Sequence, residues 1–166
     1  MNVQVGPVTV DKQQVKMLFE TVVEVLTEVN KDSRKGAVCS LQQSDGANIF
    51  EHEAGTATRE AFARYLLNAR NKNKTLVKYP LHILSWQSHN MQTGPYPGGV
   101  RGANGLLFSI SGFAWQEDEV GVLWIHCKFG WMSYEEVCKA ANISGTNSLW
   151  LELFPQFNLA LESLST

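Results

Sequence analysis

The distribution of apolar and polar positions opens with a helical stripe. Val15, Leu18, Phe19, Val22, Leu26 and Val29 recur at three- and four-residue steps, and Lys12, Glu20, Glu24 and Glu28 take the opposite face. Asp11, with Gln14 three residues on, forms a capping pair that satisfies free amides of the first turn. After the polar stretch 30–36 the period shortens. Residues 37–41 (AVCSL) and 47–52 flank Asp45-Gly46, a dipeptide suited to the positive φ angles of a tight hairpin, so two antiparallel strands are expected. Thr56 or Thr58 caps a second helix, in which Phe62, Tyr65, Leu66 and Ala69 keep helical spacing to about Asn71. Behind Pro80, LHILSW (81–86) reads as a short strand, with Leu81, Ile83 and Ser85 on one side and His82, Leu84 and Trp86 on the other.

From Ser88 to Gly105 the chain holds Gly94, Gly98, Gly99, Gly102 and Gly105 with Pro95 and Pro97, too many breakers for a regular element; a loop of this length is often functional. LLFSIS (106–111) follows as a buried strand. The segment 116–129 carries two opposed signals. Its β-branched and aromatic residues favour a strand, but Glu117, Asp118 and Glu119 at one end and Lys128 and Gly130 at the other are helix-end chemistry, and the length suits a helix. A helix is therefore expected. Ser133 and Glu136 form a capping box for a short helix to about Ala141, and an aromatic tail with Trp150, Phe154 and Phe157 follows. The pattern predicts one α+β domain over residues 1–166.

Composition narrows the picture. With 166 residues and 44% hydrophobic content the chain suffices for one core, and a net charge of −2 argues against a strongly basic nucleic-acid binder. Charge is nonetheless uneven: Arg59, Arg64, Arg70, Lys72, Lys74 and Lys78 face only Glu60 across 59–78, making a local basic patch or a solvated helix end. Tyr65, Tyr79 and Trp86 lie near enough to stack on RNA bases, but helical spacing assigns Tyr65 to the core, and nucleic-acid binding is not expected. Cys39, Cys127 and Cys138 form no CxxC pair, which suits small buried apolar roles and a reducing, cytoplasmic setting. The first ten residues lack the basic start and apolar run of a leader, and no apolar run approaches the roughly 20 residues of a spanning helix, so no membrane association is expected.

The order helix, hairpin, helix, strand, glycine-rich loop, strand, helix resembles the GlcG-like family of haem-associated proteins. Ser111-Gly112 followed by Asp118-Glu119 is similar to that family's strand ending in Ser-Gly and helix opening with Asp-Glu. Gly98-Gly99 resembles its Gly-Gly loop, Ser44-Asp45-Gly46 its first hairpin, and Arg64 stands roughly where the family has a lysine. The resemblance covers residues 12–130. The stretch 99–106 is shorter than the family's, and 131–166, a helical and aromatic extension, has no counterpart. The resemblance implies a profilin-like fold, a central antiparallel sheet with helices packed around it, and a self-associating homo-oligomer that binds a small-molecule ligand, with haem or another tetrapyrrole as the candidate.

Local chemistry selects candidate residues for such a ligand. Of the four histidines, His82 and His89 flank Trp86 beside the glycine-rich loop, where a flat ligand can rest on the indole and an imidazole can reach iron or another metal. His52 and His126 fall in no HxxxH or HExxH pattern. Gly98, Gly99 and Arg101 offer a loop and an anion partner, and Ser111-Gly112 precedes a helix start whose free amides suit a carboxylate or phosphate. Asp118 and Glu119 read first as helix-start carboxylates and second as general acids or ligands. Adjacent His126 and Cys127 point about 100° apart on a helix, which separates them as a dyad. No nucleophile, base and orienting group assemble from motifs, so a binding module is expected; an enzyme acting on haem or a small metabolite and an assembly component without ligand are the alternatives.

Overall fold

The structure is a computed structural model that describes residues 9–89 and 96–164. Helix α1 (Lys12–Val29) starts where expected, the Asp11 carboxylate accepting from the amides of Gln13 and Gln14 at 3.1 and 3.2 Å. Its stripe Val15, Leu18, Phe19, Val22 and Leu26 is buried. Strands β1 (Lys35–Gln42) and β2 (Asn48–Thr56) form the hairpin around Asp45-Gly46, with an irregularity between Leu41 and Gln42. Helix α2 (Arg59–Lys78), capped by Thr58, runs seven residues beyond the expected end.

The expected strand at 81–86 is corrected. The segment makes one antiparallel bridge, Leu84 to Val100, and then coils into a 3-10 turn at Ser85–Ser88. The cause is local: the Gln87 side-chain oxygen accepts from the amides of Ile83 and Leu84 at 2.7 and 2.9 Å, drawing the chain back on itself. Part of the loop is regular instead. Gly99–Arg101 forms β3, which pairs with β4 (Leu107–Ser111); Gly94 and Pro95 lie outside the described residues.

Among the described residues four strands form one antiparallel sheet in the order β2-β1-β4-β3. Alternation along the strands separates its faces. Ala37, Cys39 and Leu41 of β1 and Phe108 and Ile110 of β4 join α1 and α3 (Trp115–Lys128) in the main core. α3 is buried around its circumference, because the sheet lies on one side and α4 (Tyr134–Ser144) and α5 (Asn147–Ser163) on the other. That double burial lets strand-prone residues such as Val120, Val122 and Ile125 form a helix, tertiary contact outweighing their propensity. The result is the α+β architecture expected, an antiparallel sheet with helices around it, consistent with a profilin-like fold.

The opposite sheet face packs against α2, and buried polar groups sit there among apolar ones such as Val38, Leu107, Ala69 and Leu76. Asn73 donates to the Ser40 carbonyl at 3.0 Å and accepts from the Ser109 hydroxyl at 2.5 Å. At the outer edge of the sheet, Glu51 and Glu53 of β2 pair with Arg70 and Arg59 of α2. No helix among the described residues is long and apolar enough to cross a membrane.

Candidate functional site

A cleft of about 630 Å³ opens where α2, the end of β4 and the start of α3 converge. One wall is α2, with Arg64, Tyr65 and Asn68; the other is the exit from β4 into α3, from Ser111 to Gln116. Arg34 and Tyr96-Pro97 border it, and Lys72 and Asp118 lie at its buried end. The exit is shaped by Gly112, whose φ is 152°, and a Cβ there would sit 2.4 Å from the Gly36 carbonyl oxygen. A side chain is excluded, so the chain can pass close against the start of β1 and turn into α3.

The α3 N-terminus is partly satisfied from within. The Phe113 amide donates to Asp118 Oδ1 at 3.1 Å and the Ala114 amide to Glu117 Oε1 at 3.3 Å. Asp118 Oδ2 accepts from Lys72 Nζ at 3.3 Å, and Nζ also donates to the Ile110 carbonyl at 2.5 Å. Both side chains are 3% exposed. Burial pushes the Asp118 carboxyl up to about 6 against the pull of Lys72, and burial lowers the Lys72 ammonium. Glu117, half buried, is also raised, chiefly by loss of solvent.

Of the cations lining the cleft, Lys72 pairs with Asp118, and Arg64 has no carboxylate partner among the described residues, which favours an anion there. Arg34 shares its charge with Asp32 at 2.9 Å, whereas the Arg64 guanidinium lies 5.5 Å from the Tyr65 ring centre. Tyr65, Tyr96 and Trp115 supply flat surfaces.

The sequence-derived candidates divide. Ser111 and Gly112 line the cleft, and Gly98 adjoins it, a Cβ at that position falling 2.7 Å from Lys72 Nζ and 3.3 Å from Asp118 Cβ. Gly99 is structural: its amide donates to Ser85 Oγ at 2.9 Å, and a Cβ would lie 2.7 Å from Ser109 Oγ. Arg101 is structural as well, its guanidinium donating to the carbonyls of His82 and Leu76. His82, Trp86 and His89 do not line the cleft. The His82 ring stacks on Tyr79 at 5.1 Å, and that of His89 on Trp86 at 5.3 Å, because the 3-10 turn replaces the strand that would have set them beside the loop.

Sequence reasoning missed Lys72. The signal was present: continuing the stripe Phe62, Tyr65, Leu66, Ala69 at the same steps reaches Lys72, Asn73 and Leu76, all buried. Glu119, read first as a helix-start charge and second as a general acid or ligand, lies away from the residues that line the cleft. Glu119 is fully buried, accepts from the hydroxyls of Ser144 and Thr146, and leaves Oε1 without a partner.

His-ligated haem does not fit this arrangement, since no histidine, cysteine or methionine is among the described residues lining the cleft. Nor do three His, Cys, Asp or Glu side chains gather as a metal site among the described residues. Comparisons with protein-family models, with curated proteins and with solved structures found no match.

Proposed function

We propose that the protein is a binding module for a small anionic ligand with a flat body, seated in the cleft between α2 and the start of α3. The observation that carries this reading is the Arg64 guanidinium, with no carboxylate partner among the described residues, in a cavity also lined by Arg34, Tyr65, Tyr96 and Trp115. Arg64 and Arg34 suit a carboxylate or phosphate, which guanidinium groups recognise through paired hydrogen bonds. The rings suit the flat body. A tetrapyrrole bearing carboxylates belongs to this class by shape and charge and so agrees with the GlcG-like resemblance, but its retention would rest on those carboxylates rather than on histidine.

Calorimetric titration tests the reading with pyridoxine 5′-phosphate, a flat ring with a phosphate, and with haemin as a second probe. Saturable binding of either is expected. Arg64→Ala should weaken it by about 10-fold or more, as expected for a hydrogen bond between charged groups worth about 1.5–3 kcal/mol. No binding of either probe, or equal affinity after the substitution, overturns the reading. The resemblance also implies self-association, which light scattering checks; a monomer at every concentration would refute it.

A further inference from the structure

The buried pair Lys72–Asp118 is not explained by stability. Two charges removed from water gain little over apolar residues of the same volume, since desolvation offsets their attraction. Yet both residues line a cleft, at its buried end. Gly98, at φ 118°, lies against Nζ, and any Cβ there would be 2.7 Å from that nitrogen. Gly98 is itself buried, so a glycine packs there without displacing Nζ, and the cleft lined by Lys72 is the route to it. Lys72 Nζ spends its hydrogen bonds on the Ile110 carbonyl and Asp118 Oδ2, and the second of these is a proton acceptor.

We propose that Lys72 captures a carbonyl group of the ligand as a Schiff base, with Asp118 shuttling the protons, so that the ligand class is a flat anion carrying an aldehyde or ketone. The proposal rests on the reading of the cleft as an anion site, and adds to it a covalent step. Asp118 takes one proton from the ammonium, and the freed nitrogen lone pair forms a bond to the carbonyl carbon. The carbonyl oxygen gathers protons delivered through Asp118 and leaves as water when the C–O bond breaks. Of the three protons on the ammonium, two depart with that water and one stays on the protonated imine; the carboxylate is restored, and nothing is oxidised or reduced. Burial supports the step, because it disfavours the ammonium relative to the free amine and raises the carboxyl of its partner into a range where it can both accept and give a proton. The guanidinium groups at the mouth would hold the anionic end while the carbonyl reaches inward.

The test uses the full chain with pyridoxal 5′-phosphate, which carries ring, phosphate and aldehyde, followed by borohydride to reduce any imine to a stable amine. Intact mass and peptide mapping then locate the label. The expected result is one adduct per chain on the peptide holding Lys72, lost when excess pyridoxine 5′-phosphate, the same shape without the aldehyde, competes. Lys72→Arg, which keeps the charge but cannot form an imine, should lose that adduct. Should the arginine variant fail to fold, mapping of the wild-type chain still decides. If pyridoxine 5′-phosphate binds but label falls only on exposed lysines such as Lys74 and Lys78, covalent capture is refuted and the anion site stands. If neither compound binds, covalent capture is refuted, and the anion site falls with it when haemin does not bind either.

Discussion

Glu119 makes the stability of this protein depend on pH in a direction opposite to that of a salt-bridged carboxylate. Its side chain is fully buried on α3, and Oε2 accepts from the hydroxyls of Ser144 and Thr146 at the junction of α4 and α5, but Oε1 has no partner. Burial outweighs the two hydroxyl donors and pushes the carboxyl up to about 7 from an ordinary 4.5. At 1.36 kcal/mol per unit this is about 3 kcal/mol. The folded chain binds the proton more tightly than the unfolded one, so this group costs nothing below about pH 4.5; the cost grows as pH rises and is complete above about 7. Glu119→Gln keeps an acceptor for the two hydroxyls and cannot ionise. Any fixed cost of the amide is the same at every pH, so the gap between variant and wild type should move by about 2.5 kcal/mol in favour of the variant from pH 5 to pH 8. Urea unfolding followed by far-UV circular dichroism at several pH values reads this directly. Parallel stability curves for the two proteins would refute the argument, because they would mean that Glu119 ionises as freely when folded as when unfolded.

Three further outcomes are expected. Lys72→Met should cost about 3–5 kcal/mol by leaving Asp118 buried and uncompensated, and adding Asp118→Asn should restore a large part of it; a double-mutant cycle by chemical unfolding checks the coupling. Gly121→Ala should destabilise by about 1–3 kcal/mol despite the better helix former, because its Cβ would meet Val22 Cγ1 at 2.7 Å where α1 crosses α3; adding Val22→Ala should recover stability in the same assay. His82→Ala with His89→Ala should leave the absorption spectrum of bound haemin and the affinity for pyridoxine 5′-phosphate unchanged, and a lost haemin band would return those rings to the site.

The elements legible in the sequence are those whose signal is local and periodic. The α1 stripe with its Asp11 cap, the turn at Asp45-Gly46 and the end charges of α3 each express a rule that needs no knowledge of the rest of the chain. What escaped depends on partners distant in sequence. The last seven residues of α2 look like a solvated basic run until Ser40, Ser109 and the Ile110 carbonyl are seen to receive Asn73 and Lys72. His82 and Trp86 were placed by strand alternation, which a single glutamine side chain folding back on two amides abolished.

The ion pairs along β2 bear on how the molecule behaves in a crowd. Among the described residues β2 has a neighbour on one side only, and an unprotected outer strand is a template on which other chains can grow a ladder. Glu51 and Glu53, held by Arg70 and Arg59, put fixed charge on that rim. Glu51→Gln with Glu53→Gln, which removes both charges at any pH, should therefore promote fibre-like aggregation of the folded chain.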